Sequence, residues 1–304
     1  HWSVKKVTNS DLRLTVVNPE VARRLAFDNP SLGQSITALE QTLQLYVRQF
    51  GTQRTEFELN GDELANDRAV ARVKLRIARQ LIGTRLGAHL TRVVESLSEQ
   101  RTLAVAEAVR SVLETAGAAA YYAAKFRSAA GEVSTLLSHL DRATRGTRFE
   151  WESWRNVVEN KNREEWESFL LRQSRERHQQ VDANRPPSVM TFIDSLERSL
   201  IEKLTEPAKR DGKPTPAIGQ VRTIYSQLCD FVHPSGGTWI TYATTEPKAL
   251  KIVVSSGSSL NSLRILWFGI GECAATMSLL GFHALEDMEG LHGSLEHSVK
   301  APNQ

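Results

Sequence analysis

The pattern of hydrophobic and polar positions predicts helices along most of the chain. Between about residues 63 and 128 there is no proline, and Ala, Leu, Arg and Val dominate, as is typical of helical sequence. This tract is much longer than an ordinary globular helix, and residues 96–100 offer a break. We therefore predict a hairpin of two long helices over residues 63–98 and 101–128. Small residues at 118–124 would let another helix approach closely.

The other helical segments are shorter or more apolar. They are predicted over residues 35–50, 133–143, 188–204, 216–233 and 260–285. Asp62 or Asn66 can cap the first long helix and Ser188 a later one, whereas Pro234 disfavours helical geometry at the residue before it. The last segment is almost entirely apolar but is interrupted by glycines and Glu272, so it predicts a buried core helix, with Glu272 as a candidate buried charge, and no membrane span.

Strand-like sequence is confined to short stretches. Residues 238–244 and 249–255 are rich in Thr, aromatic and β-branched residues and flank Glu246-Pro247-Lys248, which predicts a β-hairpin. A further strand is predicted over residues 12–17. The predicted fold class is therefore mainly α, a multi-helix bundle with one β-hairpin near residues 238–255.

The same pattern suggests a division of the chain. Residues 1–60 form an N-terminal extension with a short strand and a helix, and the turn at residues 60–62 marks its end. Residues 61–290 form the helical bundle domain with the β-hairpin. Residues 291–304 are predicted to be a flexible tail.

Composition narrows the function classes only a little. The 304 residues are 40% hydrophobic and carry a formal net charge of +3, which is too small to indicate a nucleic-acid binder by itself. Cys229 and Cys273 lie in apolar helical sequence without a CxxC motif or metal-ligand spacing. We expect reduced cysteines, a cytoplasmic protein, and no metal or cofactor.

Two segments place ionisable residues in otherwise apolar helices. Arg110 and Glu114 lie one helical turn apart, and the later segment carries Tyr225 and ends at His233. Burying such groups unpaired is costly, so they either satisfy one another in a structural cluster or form a site. We predict that His233 contacts Arg110 or Glu114.

Each of these residues has a structural and a catalytic interpretation. His233 lies at a helix C-terminus, where the macrodipole favours a cation, so it is either a helix-capping residue or a general acid. Arg110 and Glu114 form either a simple intrahelical ion pair or a clamp for phosphate. Tyr225 either orients the histidine or the substrate, or ties two helices together.

A basic helical face is a separate signal. Arg68, Arg72, Arg76 and Arg79 lie on one side of the first long helix, with no acidic residue among them. We expect this face to meet solvent and to bind a nucleic-acid backbone in a strongly salt-dependent manner.

The chain carries an R-x-x-x-E sequence on an Ala-rich helix, followed later by Y-x-x-L-x-x-x-V-H-P-S. This pair of motifs resembles a bacterial helical family similar to HEPN domains (higher eukaryotes and prokaryotes nucleotide-binding). The resemblance covers residues 63–285. The matching positions are Arg110, Glu114, Tyr225, Leu228, Val232, His233 and Pro234. HEPN ribonucleases use an Arg and a His, often across a dimer, to cleave RNA without metal. Their motif spaces the two by four to six residues, whereas here Arg222 precedes His233 by eleven positions.

Three functions follow as hypotheses. The resemblance implies an RNA-directed effector, such as a metal-independent ribonuclease in a toxin or phage-defence system. The alternative is a non-enzymatic helical module that binds a partner protein or nucleotide, with the polar cluster as internal glue. The third is a small-molecule pocket lined by Tyr121, Tyr122, Tyr225 and Trp239. The partners expected are RNA and either a second copy of the chain or another protein, without a membrane.

Overall fold

The protein is a helical bundle. The computed structural model describes residues 12–27, 29–51, 66–145, 187–212, 219–232, 243–246, 251–254 and 259–297. The helices are α1 (Pro19–Ala26), α2 (Pro30–Phe50), α3 (Asp67–Ser98), α4 (Thr102–Ser128), α5 (Val133–Arg145), α6 (Val189–Leu200), a π-helix (Ile201–Thr205), α7 (Glu206–Arg210), α8 (Gln220–Val232) and α9 (Leu260–His297). Two short strands, β1 (Ala243–Glu246) and β2 (Lys251–Val254), complete the described elements.

The predicted hairpin of two long helices is confirmed by α3 and α4. The Asn66 side chain caps α3 by accepting hydrogen bonds from the backbone N–H groups of Arg68 and Ala69, at 3.0 and 3.3 Å. At the other end Gln100 adopts a left-handed conformation, with φ of 56°. The N–H groups of Arg101 and Gln100 donate to the carbonyls of Ser96 and Leu97, which are the two bonds of a Schellman motif.

Helix α4 lies at the centre of the bundle, where α3, α5, α6, α8 and α9 all pack against it. Its small side chains permit this, as the sequence predicted. A Cβ atom at Gly117 would lie 2.5 Å from the carbonyl oxygen of Phe192, so α6 could not approach so closely if residue 117 carried a side chain. Ala119, Ala120 and Ala123 are buried on the same helix.

Helix α9 joins the N-terminal helices to the bundle. The Tyr46 hydroxyl donates to the Ser278 carbonyl at 2.9 Å, and the Trp267 indole N–H donates to the Ser35 hydroxyl at 3.0 Å. Each bond joins residues 232 positions apart. Because this separation is the same at two places along the helices, α2 and α9 run in the same direction. Residues from α1 and α2 belong to the same continuous core as the rest. The predicted separation of residues 1–60 as an extension is therefore not seen in the part of this segment that the structure describes.

The C-terminal prediction also needs correction. Helix α9 continues to His297, so residues 291–297 are helical and the predicted flexible tail does not start at 291. Leu295 is buried, and this burial explains why the helix continues past Gly290. Among the described residues, α9 alone is long and apolar enough to cross a membrane, and 67% of its apolar window is buried in the fold. This burial supports its interpretation as a core helix.

The strand predicted over residues 12–17 is not formed. Helices, not a neighbouring strand, supply the partners for their backbone groups. The N–H of Val17 donates to the Glu40 carboxylate at 2.7 Å, and the Arg13 carbonyl accepts from the Thr91 hydroxyl at 3.4 Å. Leu12 is buried, whereas Leu14 and Val16 are exposed. The strand-like composition of residues 12–17 thus belongs to a segment without regular secondary structure that lies on α3.

The segment predicted as one helix from 188 to 204 contains a change of helix type. Ser188 caps α6, as predicted, by accepting from the Thr191 N–H at 3.2 Å. After Leu200 the backbone forms the π-helix, in which the Glu206 N–H donates to the Ile201 carbonyl five residues earlier. Helix α7 then extends the chain to Arg210.

The two strands lie within the stretch predicted to be β-rich. They pair in antiparallel fashion, with Ala243 opposite Val254 and Glu246 opposite Lys251. Each described strand has four residues, and Glu246, which was predicted to lie in the connection, is paired in β1. The residues that join them lie outside the described part of the chain, so the hairpin connection stays a prediction.

Replacing Gln100 with Gly tests the turn between α3 and α4. We expect Gln100→Gly to raise the free energy of unfolding by a few tenths to about 1 kcal/mol, because glycine avoids the steric cost of the left-handed conformation. Glu99→Gly is the control, since Glu99 has φ of −88° and gains nothing from glycine. Urea denaturation measures both variants. Equal destabilisation of the two would contradict the assignment of the turn.

Candidate functional site

Three of the predicted site residues come together at the contact between α4 and α8. The Arg110 Nε atom donates to Glu114 Oε1 at 2.9 Å, and the Tyr225 hydroxyl donates to the same oxygen at 2.8 Å. The Arg110 guanidinium carbon lies 5.6 Å from the centre of the Tyr225 ring. The side chains of Arg110 and Glu114 are each 28% exposed, so the cluster is packed on one side and reaches solvent on the other.

The protonation states in this cluster follow from its contacts. Burial raises the pKa of Tyr225, and the adjoining Glu114 carboxylate raises it further, to about 12. Partial burial opposes the charge of Arg110, but its contacts with Glu114 and Tyr225 outweigh that effect and raise the arginine pKa. The cluster therefore holds a permanent cation and a neutral phenol that donates a hydrogen bond.

A buried carboxylate fixes the helix that carries Tyr225. Glu197 on α6 is buried, and its two oxygens accept hydrogen bonds from the backbone N–H groups of Gly219 and Val221, at 2.7 and 2.9 Å. This carboxylate lies at the N-terminus of α8, where the helix dipole favours an anion. Tyr225 follows Val221 by one turn, so Glu197 sets the position of its ring.

A histidine that the sequence analysis did not single out lies beside the cluster. Arg85 Nε donates to His89 Nε2 at 3.4 Å, so the imidazole is neutral with its proton on Nδ1. Burial, together with the charges of Arg85 and Arg92, lowers the pKa of His89 to about 4, and Glu114 acts in the opposite direction. His89, Arg92 and Ser111 line a groove of about 390 Å³ between α3 and α4.

Neither His89 nor Glu197 carried a strong sequence signal. His89 is flanked by Arg85 and Arg92 at helical spacing, which could have suggested one basic face containing a histidine. Glu197 looks like an ordinary polar residue of an amphipathic helix. Its role depends on the position of the N-terminus of α8 relative to α6, and the spacing of residues along α6 does not reveal that position.

The predicted basic face divides into two parts. Arg68 is exposed, and Arg72 and Arg76 are half-buried. The Arg79 side chain is only 12% exposed and contacts the C-terminal part of α9, where Nε donates to the Leu285 carbonyl at 3.0 Å and lies 3.2 Å from a Glu289 oxygen.

Arg79 is therefore not part of an open basic surface, contrary to the prediction. Its guanidinium also lies over the Phe50 ring at 5.0 Å. Burial lowers its pKa, and Glu289 and Glu286 partly restore it. The contacts of Arg79 with α9 and α2 indicate that it stabilises the fold.

Other predicted features also differ from expectation or lie beyond the described residues. His233, Pro234 and Trp239 lie outside them, so the contact predicted between His233 and Arg110 or Glu114 stays a prediction. Glu272 is exposed and does not form the buried charge suggested by its apolar sequence context. Burial raises the pKa of Cys273 to about 12, so this thiol is not a reactive thiolate at neutral pH.

The comparisons give no family for this chain. No protein-family model matches it, and comparison with curated proteins and with solved structures found no significant similarity. In the part of the chain that the structure describes, no group of three or more His, Cys, Asp or Glu residues could hold a metal ion. The function must therefore be inferred from the arrangement of the side chains.

A double-mutant cycle tests the bond between α4 and α8. We expect Tyr225→Phe to lower the free energy of unfolding by about 1–2 kcal/mol, because the lost hydrogen bond goes to a charged group. With Glu114→Ala and the double variant, the coupling energy should be about 1 kcal/mol. Urea denaturation measures all four proteins. A coupling below about 0.3 kcal/mol would contradict the contact.

The pKa of His89 predicts a pH dependence of stability. The ordinary pKa of 6.5 applies in the unfolded state, and the folded value is about 4. The unfolded chain therefore binds the proton more readily, and the contribution of His89 is complete above pH 6.5 and is lost as the pH falls towards 4.

We expect the wild-type protein to lose more stability than His89→Gln between pH 7 and pH 5. Denaturant unfolding at these two pH values gives the difference, and NMR titration gives the midpoint of the imidazole directly. Carboxylates titrate in both the wild-type protein and His89→Gln, so the variant controls for their contribution to the pH dependence of stability. An imidazole midpoint near 6.5 would contradict the buried, arginine-flanked environment.

Proposed function

We propose that the protein is a cytoplasmic, HEPN-like helical protein directed at RNA, and that it cleaves RNA without a metal. The observation that carries this proposal is the convergence of Arg110, Glu114 and Tyr225, from two helices distant in sequence, into a partly exposed cluster. These are residues that the resemblance marks. His233 directly follows the last residue of α8 in sequence.

In the proposed reaction, Arg110 binds the phosphate whose bond is broken. Its permanent charge stabilises the added negative charge in the transition state. Glu114 fixes the guanidinium through Nε, and Tyr225 packs against its face. The ribose 2′-hydroxyl attacks this phosphate, the P–O5′ bond breaks, and His233 passes the proton of the 2′-hydroxyl to the leaving 5′ oxygen, a task suited to an imidazole whose pKa is raised at a helix C-terminus. His89, with its pKa of about 4, is a weak base and is assigned a contact with the substrate instead.

The RNA backbone would extend from this cluster along α3. Arg85 and Arg92 are exposed, and Arg68, Arg72 and Arg76 continue the positive charge towards the start of the helix. Because phosphate contacts release counterions, binding should weaken steeply with salt. Arg79 is left out of this surface since its side chain is engaged with α9.

One observation favours a second candidate function. Glu114 Oε1 accepts from both Arg110 and Tyr225, so the cluster forms a tie between α4 and α8 without any ligand. A non-enzymatic module that binds a partner protein, a nucleotide or a second copy of the chain would need no more than this. In that case the polar cluster stabilises the bundle.

Cleavage of RNA in excess chelator tests the ribonuclease proposal. We expect His233→Ala to reduce the cleavage rate by about 10²–10⁴-fold and Arg110→Ala by about 10²–10³-fold. Arg23→Ala is the control, because Arg23 is an exposed arginine on α1, paired only with Glu20 in the same helix. Circular dichroism confirms that each variant is folded.

Three outcomes would sink the enzymatic proposal. The first is that the purified protein leaves diverse RNAs intact, as a monomer and at concentrations that favour a dimer. The second is that cleavage stops when the chelator is added. The third is that His233→Ala unfolds the protein, which would make that residue structural and favour the non-enzymatic module.

A further inference from the structure

A second polar cavity lies at a distance from the Arg110 cluster. It has a volume of about 510 Å³ and is bounded by the C-terminal part of α4, by α6, by the π-helix and by α9. Lys125, one of its lining residues, follows Arg110 by fifteen positions on α4, which places it roughly 22 Å farther along the helix axis. The volume is within the usual range for sites that bind small molecules.

The lining of this cavity carries an excess of positive charge. Lys125, Arg127, Arg198 and Lys203 line it, against the carboxylates of Glu202 and Asp287. Asp287 Oδ2 accepts from both Arg127 and Lys203, at 2.7 and 2.9 Å, and so holds two cations together at one edge. Four cations against two carboxylates leave two positive charges, which matches the charge of a phosphate dianion.

Arg198 has donors available for a ligand. Among the described residues its side chain donates two long hydrogen bonds within α6, from Nε to the Asp194 carbonyl at 3.4 Å and from Nη2 to the Ser195 hydroxyl at 3.3 Å. A guanidinium offers five N–H groups, and the Arg198 side chain is exposed at the cavity. Its planar fork suits two oxygens of one phosphate group.

The π-helix contributes two of the charged residues. Glu202 and Lys203 both lie within it and both line the cavity. A π-turn is rare and is frequently found at functional sites. Here the extra residue of the wider turn brings Lys203 to Asp287 on α9, so the distortion lies at the charged wall of the cavity.

Tyr121 adds an aromatic surface to the same wall. Its ring is half-buried and makes edge contacts with Tyr122 and Phe192, with ring centres 5.2 and 5.7 Å apart. The Lys125 ammonium lies 5.8 Å from the centre of the ring. A rigid aromatic beside a cation can bind a ligand that has a planar part and an anionic part.

We propose that this cavity binds a soluble small molecule that carries a phosphate group. Arg198 and Lys203 bind the phosphate, Asp287 holds Lys203 in place, and Tyr121 packs against the rest of the ligand. The site does not depend on the proposed RNA chemistry, because it shares no residue with the Arg110 cluster.

Calorimetric titration with pyrophosphate and with adenosine monophosphate, at ionic strength fixed with chloride, tests the proposal. Saturable binding is expected for both. Arg198→Gln and Lys203→Gln should each raise the dissociation constant about tenfold or more, because each removes a charged hydrogen bond. The control is Lys209→Gln on α7, an equal loss of charge at an exposed lysine that pairs with Glu206. Tyr121→Ala should weaken the nucleotide more than pyrophosphate.

Several results would overturn the proposal. The first is the absence of saturable binding up to about 10 mM. The second is a loss of affinity in Lys209→Gln equal to that in the cavity variants. The third is binding only to vesicles that contain phosphatidic acid, which would indicate that the ligand is a lipid headgroup. If Lys203→Gln fails to fold, Arg198→Gln decides the matter, because its exposed side chain contributes little to the core. Loss of RNA cleavage without loss of pyrophosphate binding would separate this site from the proposed ribonuclease.

Discussion

The close approach of helices to α4 is the constraint on which the rest of the structure depends. A Cβ atom at Gly117 would meet the Phe192 carbonyl at 2.5 Å, and one at Gly281 would lie 3.0 Å from the Ala116 methyl group. At these separations backbones pack against each other directly, and larger side chains on α4 would force α6 and α9 apart. The hydrophobic effect stabilises this arrangement, but the small residues decide its geometry.

This constraint also determines where charged groups can lie on α4. Arg110 and Glu114 occupy the edge where α8 crosses, and there Tyr225 supplies a hydrogen bond and an aromatic face. Arg110 and Glu114 thereby have hydrogen-bonding and aromatic partners, and their side chains remain partly exposed to solvent. An arrangement of this kind is compatible both with a structural tie and with a site, because a partly exposed arginine held by its Nε atom still presents its outer side to an anion. Binding of an anion at this arginine, and not the stability of the cluster, distinguishes a site from a structural tie.

The sequence predicted features that depend on neighbouring residues and missed those that depend on distant contacts. The caps at Asn66 and Ser188 and the break between α3 and α4 follow from local backbone chemistry. The convergence of Tyr225 with Glu114 was suggested by the cost of burying polar groups. In contrast, residues 12–17 are strand-like in composition, but side chains of α2 and α3 form the hydrogen bonds with their backbone. Arg79 and Glu272 were misjudged because periodicity identifies a helical face but does not identify what covers that face.

The parallel alignment of α2 and α9 has a consequence for synthesis and folding. Neighbouring helices that run in the same direction cannot be joined by a short turn, and here their hydrogen-bonded partners are 232 residues apart. Until α9 has emerged from the ribosome, the apolar face of α2 that holds Tyr46 has no cover from that side. The early chain can form the α3–α4 hairpin from local contacts, but its core closes last around α9. Nascent chains arrested before α9 should therefore expose this face to chaperones and to aggregation.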